Sequence, residues 1–217
     1  MTDRDAAGGP PAPVRLVVFD IDGVIYRYDR DRRVATLARA VGRTADEVRA
    51  AMFTSGVEDA GDAGDLGPDD YLRAIGHGLG TDVSRDAWAA ARAAAMTPDR
   101  EVLALVAAVA RRLPAATLSN NGALLGQEAA RIVPDLVAVE GLTILMAGEL
   151  GSAKPSVAVF HTVVERFGVA PGEALFVDDS DANVAGAGRA GLRTRHFAGA
   201  ADLEAWLRRE GALPPAR

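Results

Sequence analysis

Val14-Arg-Leu-Val-Val-Phe-Asp20 is a nearly continuous apolar run that ends in an acid. Such a run suits a strand buried on both faces, which is the condition of a parallel sheet covered by helices. Four further segments have strand character: Ala115–Ser119, Leu142–Met146, Ala174–Asp178 and Arg193–Phe197. Helical patterns separate and follow them, at about 99–112, 122–132, 155–167, 182–190 and 201–210. Strands that alternate with helices predict an α/β fold with a doubly wound, parallel five-stranded sheet.

Residues 29–97 break this alternation. They hold four amphipathic patterns, near 32–41, 44–54, 68–78 and 84–95. Thr44-Ala-Asp-Glu47 has the form of a capping box, Pro68 can open a helix, and Ser84 can cap one. Gly56 to Gly67 is rich in Gly and Asp and reads as a loop. A small all-helical unit is therefore expected between core segments 14–28 and 98–210. Residues 1–13 and 211–217 read as flexible tails.

Composition excludes several functions. The 217 residues carry 24 Lys and Arg against 30 Asp and Glu, a net charge of −6. That balance gives no general footprint for nucleic acid or an anionic membrane. The absence of cysteine removes disulfides, thiolate metal sites and Cys nucleophiles. The N-terminus lacks the apolar core of a signal peptide, and no apolar run reaches the ~20 residues of a membrane span. A cytoplasmic protein, as monomer or homodimer, is the expectation.

Polar clusters sit at or just after the strand ends. They are Asp20-Ile-Asp22-Gly23, Ser119-Asn120-Asn121, Lys154-Pro155 and Asp178-Asp179, with Asn183 downstream. Open α/β sheets bind ligands at the carboxyl ends of their strands, where strand order reverses, so these groups are expected to converge. Their chemistry suits phosphoryl transfer. A carboxylate can attack phosphorus, and Asp20 is the candidate nucleophile. Asp22 can protonate the leaving oxygen and then activate water. Mg²⁺ takes oxygen ligands, which Asp20 and Asp179, with Asp178, can supply. Ser119 and Lys154 can hold the phosphate oxygens, with Asn120 beside them. The expected partner is a small phosphorylated substrate.

Phe19-Asp-Ile-Asp-Gly-Val24, Leu118-Ser-Asn120, Lys154-Pro155 and Phe176-Val-Asp-Asp-Ser180 resemble, in order and spacing, the four motifs of the haloacid dehalogenase-like hydrolases. The helical unit resembles the small helical cap of that superfamily's first cap class, with 23–28 as the connecting flap. The resemblance implies that Asp20 is nucleophile and metal ligand. It implies that Asp22 is acid/base and lends a backbone carbonyl to Mg²⁺. It maps Ser119 and Lys154 to phosphate binding, and Asp179, assisted by Asp178, to the metal. Asn183 stands where the family often has a second acid. Dehalogenases of this fold lack an acid two residues after the nucleophile, so Asp22 points to a phosphatase.

A phosphosugar mutase would share the same phospho-aspartate, and a receiver-type signalling module combines similar residues. Asp22 and the helical insert oppose the receiver. The remaining features have structural readings. His77, His161 and His196 are too scattered for a metal site. The acids from Glu58 to Asp70 read as a solvated loop, and Trp88 and Trp206 as packing residues. Tyr26, Arg27 and Tyr28 could face substrate or serve only to hinge the cap.

Overall fold

The computed structural model describes residues 12–215. Among these residues seven strands form: β1 Leu16–Phe19, β2 Tyr26–Tyr28, β3 Met96–Pro98, β4 Ala115–Ser119, β5 Leu142–Met146, β6 Ala174–Asp178 and β7 Arg193–His196. Five make one parallel sheet in the order β5-β4-β1-β6-β7. β1, β4 and β6 are buried along their whole length. That burial is why they read as unbroken apolar runs instead of alternating ones. β1 lies at the centre, with β4 on one side and β6 on the other. Strand order reverses there, so the crevice at the carboxyl ends of these three strands is the expected ligand site.

β2 and β3 pair antiparallel in a separate ribbon, with Arg27 opposite Thr97. The chain leaves and re-enters the core through this ribbon. Between its strands lie α1 Arg30–Val41, α2 Ala45–Arg49, α3 Val57–Ala63, α4 Pro68–Leu79 and α5 Arg85–Ala94. Local chemistry fixes their ends. Asp29 caps α1, the Thr44–Glu47 capping box opens α2, Pro68 starts α4 and Ser84 caps α5. Ala50–Thr54 extends α2 by a π-helical turn. α1 and α5 lie against each other, and Val34, Leu37, Trp88 and Ala89 are buried.

The helices outside the cap are α6 Arg100–Ala110, α7 Ala123–Gln127, α8 Ala129–Ile132, α9 Pro134–Val137, α10 Val157–Phe167, α11 Asp181–Arg189 and α12 Ala200–Arg209. Two apolar clusters cover the two faces of the sheet. One contains Val17, Phe19, Leu175 and Val177, the other Leu16, Val18, Phe176 and Phe160. Consecutive residues of β1 thus face opposite sides, as the pleat requires.

Three expectations need correction. The 56–67 stretch is not simply a loop, because Val57–Ala63 forms α3. The 122–132 helix is two short helices, with Glu128 in a non-helical conformation between them. The C-terminal tail is anchored at its start. Ala212 and Leu213 are buried, and both backbone N–H groups donate to the Leu207 carbonyl. Residues 1–11 of the expected N-terminal tail, and 216–217, lie outside the described residues. Among the described residues no helix is long and apolar enough to cross a membrane.

Candidate active site

The sheet edge delivers the acids together. Asp20 follows β1 and is buried, and its N–H donates to the Val177 carbonyl at 2.9 Å. Asp178 ends β6 with no exposed surface, and Asp179 follows it on the surface. Carboxylate oxygens of Asp20, Asp178 and Asp179 all lie within 4.8 Å of one another. Gly23 makes room for this. Its φ of 89° suits glycine, and a Cβ there would lie 2.0 Å from Asp179 Oδ2.

Lys154 neutralises part of that charge. Its Nζ lies 2.7 Å from Asp20 Oδ1 and 2.7 Å from Asp178 Oδ2, and the side chain is buried. Burial works against the ammonium charge, but Asp20 and Asp178 outweigh it and hold Lys154 above its ordinary value. Burial pushes the Asp20 carboxyl up to about 7 against the pull of Lys154, and the Asp178 charge adds to the rise. Burial and then Asp178 raise Asp179 as well.

The donor set separates roles within the cluster. Both oxygens of Asp178 are occupied. Oδ2 takes Lys154, Oδ1 takes the Ser180 N–H at 2.9 Å, and Asn183 Nδ2 reaches the two oxygens at 3.0 and 3.1 Å. Asp178 is thus the anchor for Lys154 and Asn183. Asn183 serves Asp178, as its amide donors allow. Asp20 Oδ2 and the exposed Asp179 carboxylate keep free oxygens. Three carboxylates against one ammonium, with hard oxygen donors, fit a Mg²⁺-type cation.

The second half of the site comes from the end of β4 and from Asp22. Ser119 ends β4 and is buried. Its Oγ accepts from Asn121 Nδ2 at 2.6 Å, and the same Nδ2 lies 3.2 Å from Asp22 Oδ2. Asn120, expected near the phosphate, has its side-chain amide clasped to the Lys154 backbone. It donates to the Lys154 carbonyl at 2.8 Å and accepts from the Lys154 N–H at 2.9 Å. Its side chain therefore fixes where the lysine enters the site.

The cap supplies residues that sequence reasoning missed. Arg92 of α5 reaches Asp22 Oδ2 at 2.5 Å and Asn121 Oδ1 at 3.1 Å. Glu58 of α3 is buried in an ion pair with Arg33 of α1 and accepts from Tyr71 Oη at 2.5 Å. Tyr71 Oη in turn accepts from Trp88 Nε1 at 3.1 Å. The acid run is therefore not uniformly solvated. Asp62 Oδ1 accepts from the Gly122 N–H at 3.2 Å, linking α3 to the core. Burial pushes Asp62 up to about 7, with the Glu58 charge adding and Arg33, Arg92 and the Gly122 N–H pulling down. A capped acid reads like a loop acid in one dimension. The signal present in the sequence is the unusual acid density beside Val57.

Tyr26 is buried in the hinge ribbon and Arg27 is exposed. Tyr28 and Phe53 line the space between cap and core, with Asp22, Arg30, Arg33, Asp62, Arg92 and Asn121 among the other walls of a cavity of about 220 Å³.

The fold is shared with known proteins. A haloacid dehalogenase-like hydrolase family model matches residues 14–191. No curated protein matches the chain. A HAD family enzyme of Bacteroides thetaiotaomicron is similar in structure, with a TM-score of 0.74 at 21% identity, covering 91% of this chain and 100% of that one. The same Bacteroides enzyme has also been solved with magnesium and inorganic phosphate, and that structure matches at TM-score 0.68 and 21% identity, covering 84% and 93%. The L-2-haloacid dehalogenase of Xanthobacter autotrophicus is a more distant fold match, at TM-score 0.57 and 20% identity, covering 83% and 76%. A family match across both sheet halves and the cap, on a chain whose acids, serine and lysine meet at the carboxyl edge, places this protein among the haloacid dehalogenase-like hydrolases.

Proposed function

We propose that the protein is a Mg²⁺-dependent phosphoric monoester hydrolase that works through an aspartyl-phosphate on Asp20. The observation that carries this reading is Asp22. It stands two residues beyond Asp20 and lines the cap cavity, with Oδ2 held by Arg92 and Asn121. Displacing a halide needs no proton donor, whereas expelling an alkoxide from phosphorus does. The three-carboxylate cluster supports the same choice, since a carboxylate nucleophile and a phosphate repel each other unless a cation lies between them.

Asp20, Asp179 and the Asp22 backbone carbonyl would hold Mg²⁺, which when bound offsets the charge of nucleophile and phosphate. Ser119 Oγ and Lys154 Nζ orient the non-bridging oxygens. Asp20 attacks phosphorus in line, the bond to the alcohol oxygen breaks, and Asp22 gives that oxygen its proton. Water then attacks the phospho-aspartate, Asp22 takes the water's proton, and the Asp20–phosphorus bond breaks to release phosphate.

The cavity supports a small leaving group. Its volume of about 220 Å³ falls below the ~300 Å³ at which drug-sized pockets begin. A small phosphorylated metabolite is the substrate class. The test is phosphate release from an aryl phosphate with Mg²⁺ and with chelator. Wild type is expected to turn over and to stop with chelator. Asp20→Asn should lose activity by about 10³-fold or more, in the range of a removed nucleophile. Undiminished hydrolysis by Asp20→Asn would sink the mechanism.

A further inference from the structure

Arg92 sits in the last turn of α5, just ahead of the hinge strand β3. Its side chain is 2% exposed, and its guanidinium carbon lies 4.2 Å from the centroid of the Tyr28 ring. Burying a cation is costly unless it is paired and hydrogen-bonded. Arg92 meets that cost by bridging two catalytic segments. Nη2 is 2.5 Å from Asp22 Oδ2 and 3.1 Å from Asn121 Oδ1. Asn121 Nδ2 is 3.2 Å from the same Asp22 oxygen and 2.6 Å from Ser119 Oγ. Asp22 Oδ2 therefore receives two donors. Asp22 Oδ1 is buried with no hydrogen-bond partner among the described residues.

This asymmetry is informative. An oxygen that already accepts from a guanidinium and an amide has little capacity left to carry a proton. Oδ1, with no hydrogen-bond partner among the described residues, is the oxygen left to carry a proton, and the Asp22 side chain lines the cavity. We propose that Arg92 is the positioning residue for the general acid. It holds Asp22 Oδ2 and so fixes the carboxyl that delivers the proton to the leaving alcohol and later takes one from water. Because Arg92 belongs to the cap, the acid is aligned only while the cap is seated on the core. Arg92 itself touches neither phosphorus nor the leaving oxygen in this assignment. The assignment rests on the phosphatase reading above.

The test exploits the leaving group. An alkyl phosphate needs its departing oxygen protonated, whereas p-nitrophenolate departs without a proton. kcat/KM reports the steps up to alcohol release, so the later role of Asp22 as base does not confuse the comparison. The full-length protein with Mg²⁺ is assayed on glycerol phosphate and on p-nitrophenyl phosphate. Arg92→Gln is expected to lower kcat/KM for the alkyl ester by about 100-fold or more, the range of a misplaced general acid, and for the aryl ester by less than about 10-fold. Arg92→Lys should restore part of the alkyl rate. Asn121→Ala, which removes the other donor to Oδ2 and also the donor to Ser119 Oγ, should lower both rates but the alkyl rate more, and covers the case in which Arg92→Gln fails to fold. Equal falls on both esters, or no fall, would overturn the assignment while leaving the phosphatase reading intact. A wild type that hydrolyses neither ester would overturn both.

Discussion

Lys154 shows how a single residue joins stability to chemistry. Its ammonium is the one cation lying between Asp20 and Asp178 among the described residues, and both contacts are 2.7 Å. Replacing it by Met leaves two buried carboxylates uncompensated. Breaking a buried pair in this way costs about 3 to 5 kcal/mol. Lys154→Met is expected to lose stability of that order in urea unfolding without divalent cation, and to recover part of it when Mg²⁺ is added. Unchanged stability would show that Lys154 does not neutralise the cluster. Asp62 gives a pH signature of its own. Its folded value, about 7, lies above the ordinary ~3.9 of an unfolded Asp. A raised acid favours the folded state fully below the unfolded value, and that contribution is lost as pH climbs through about 7. Asp62→Asn should therefore flatten part of the fall in Tm between about pH 4 and about pH 7, leaving the part due to Asp20. An unaltered slope would contradict the burial of Asp62. The placing of Asp20, Asp22, Ser119, Lys154 and Asp179 was legible in the sequence because each ends or follows a readable strand or precedes a readable helix. Arg92 was not, because an Arg on an alanine-rich helix looks solvated until the partner segment, about seventy residues away, folds against it.

At the scale of elements, the seam between α3 and the core decides whether the cap seats correctly. It is built from backbone contacts that only glycine permits. A Cβ on Gly122 would lie 2.4 Å from the Gly61 carbonyl oxygen, and one on Gly64 would lie 2.4 Å from that of Gly148. Gly122 has φ of −74°, so its own backbone accepts alanine and only the cap objects. Gly122→Ala should leave the core folded, with little change in Tm. It should lower kcat/KM substantially, by up to about 100-fold if the cap is displaced by an ångström. A normal kcat/KM would mean that the cap does not need this seam. The core strands were readable because burial on both faces leaves an apolar run with no competing interpretation. α3 was not, because Val57-Glu-Asp-Ala-Gly-Asp-Ala63 has poor helix formers and two glycine neighbours. Its helix is held by tertiary bonds from Glu58 to Arg33 and Tyr71, which propensity does not register. The split at Glu128 escaped for a similar reason. That side chain lies within reach of Arg85 and Arg131, and such partners are invisible to a periodic pattern.

The whole molecule divides labour between two structures. The sheet brings Asp20, Ser119, Lys154, Asp178 and Asp179 to one edge, through strands whose register leaves little freedom. The cap closes a small cavity over Asp22 and contributes the guanidinium that holds it. The strands of the sheet and the polar groups at their ends follow from local sequence. The cavity wall depends on how five cap helices pack, and so the leaving alcohol was not readable from residues 29–97. The central claim is that Asp20 carries the phosphoryl group during turnover. The most direct measurement is rapid acid quench of Mg²⁺-loaded enzyme with labelled aryl phosphate, followed by peptide mapping of the label. The account predicts label on the peptide containing Asp20, formed and lost within the turnover time, and absent in Asp20→Asn. Label on another residue, or phosphate released at the wild-type rate with no protein-bound label, would contradict it.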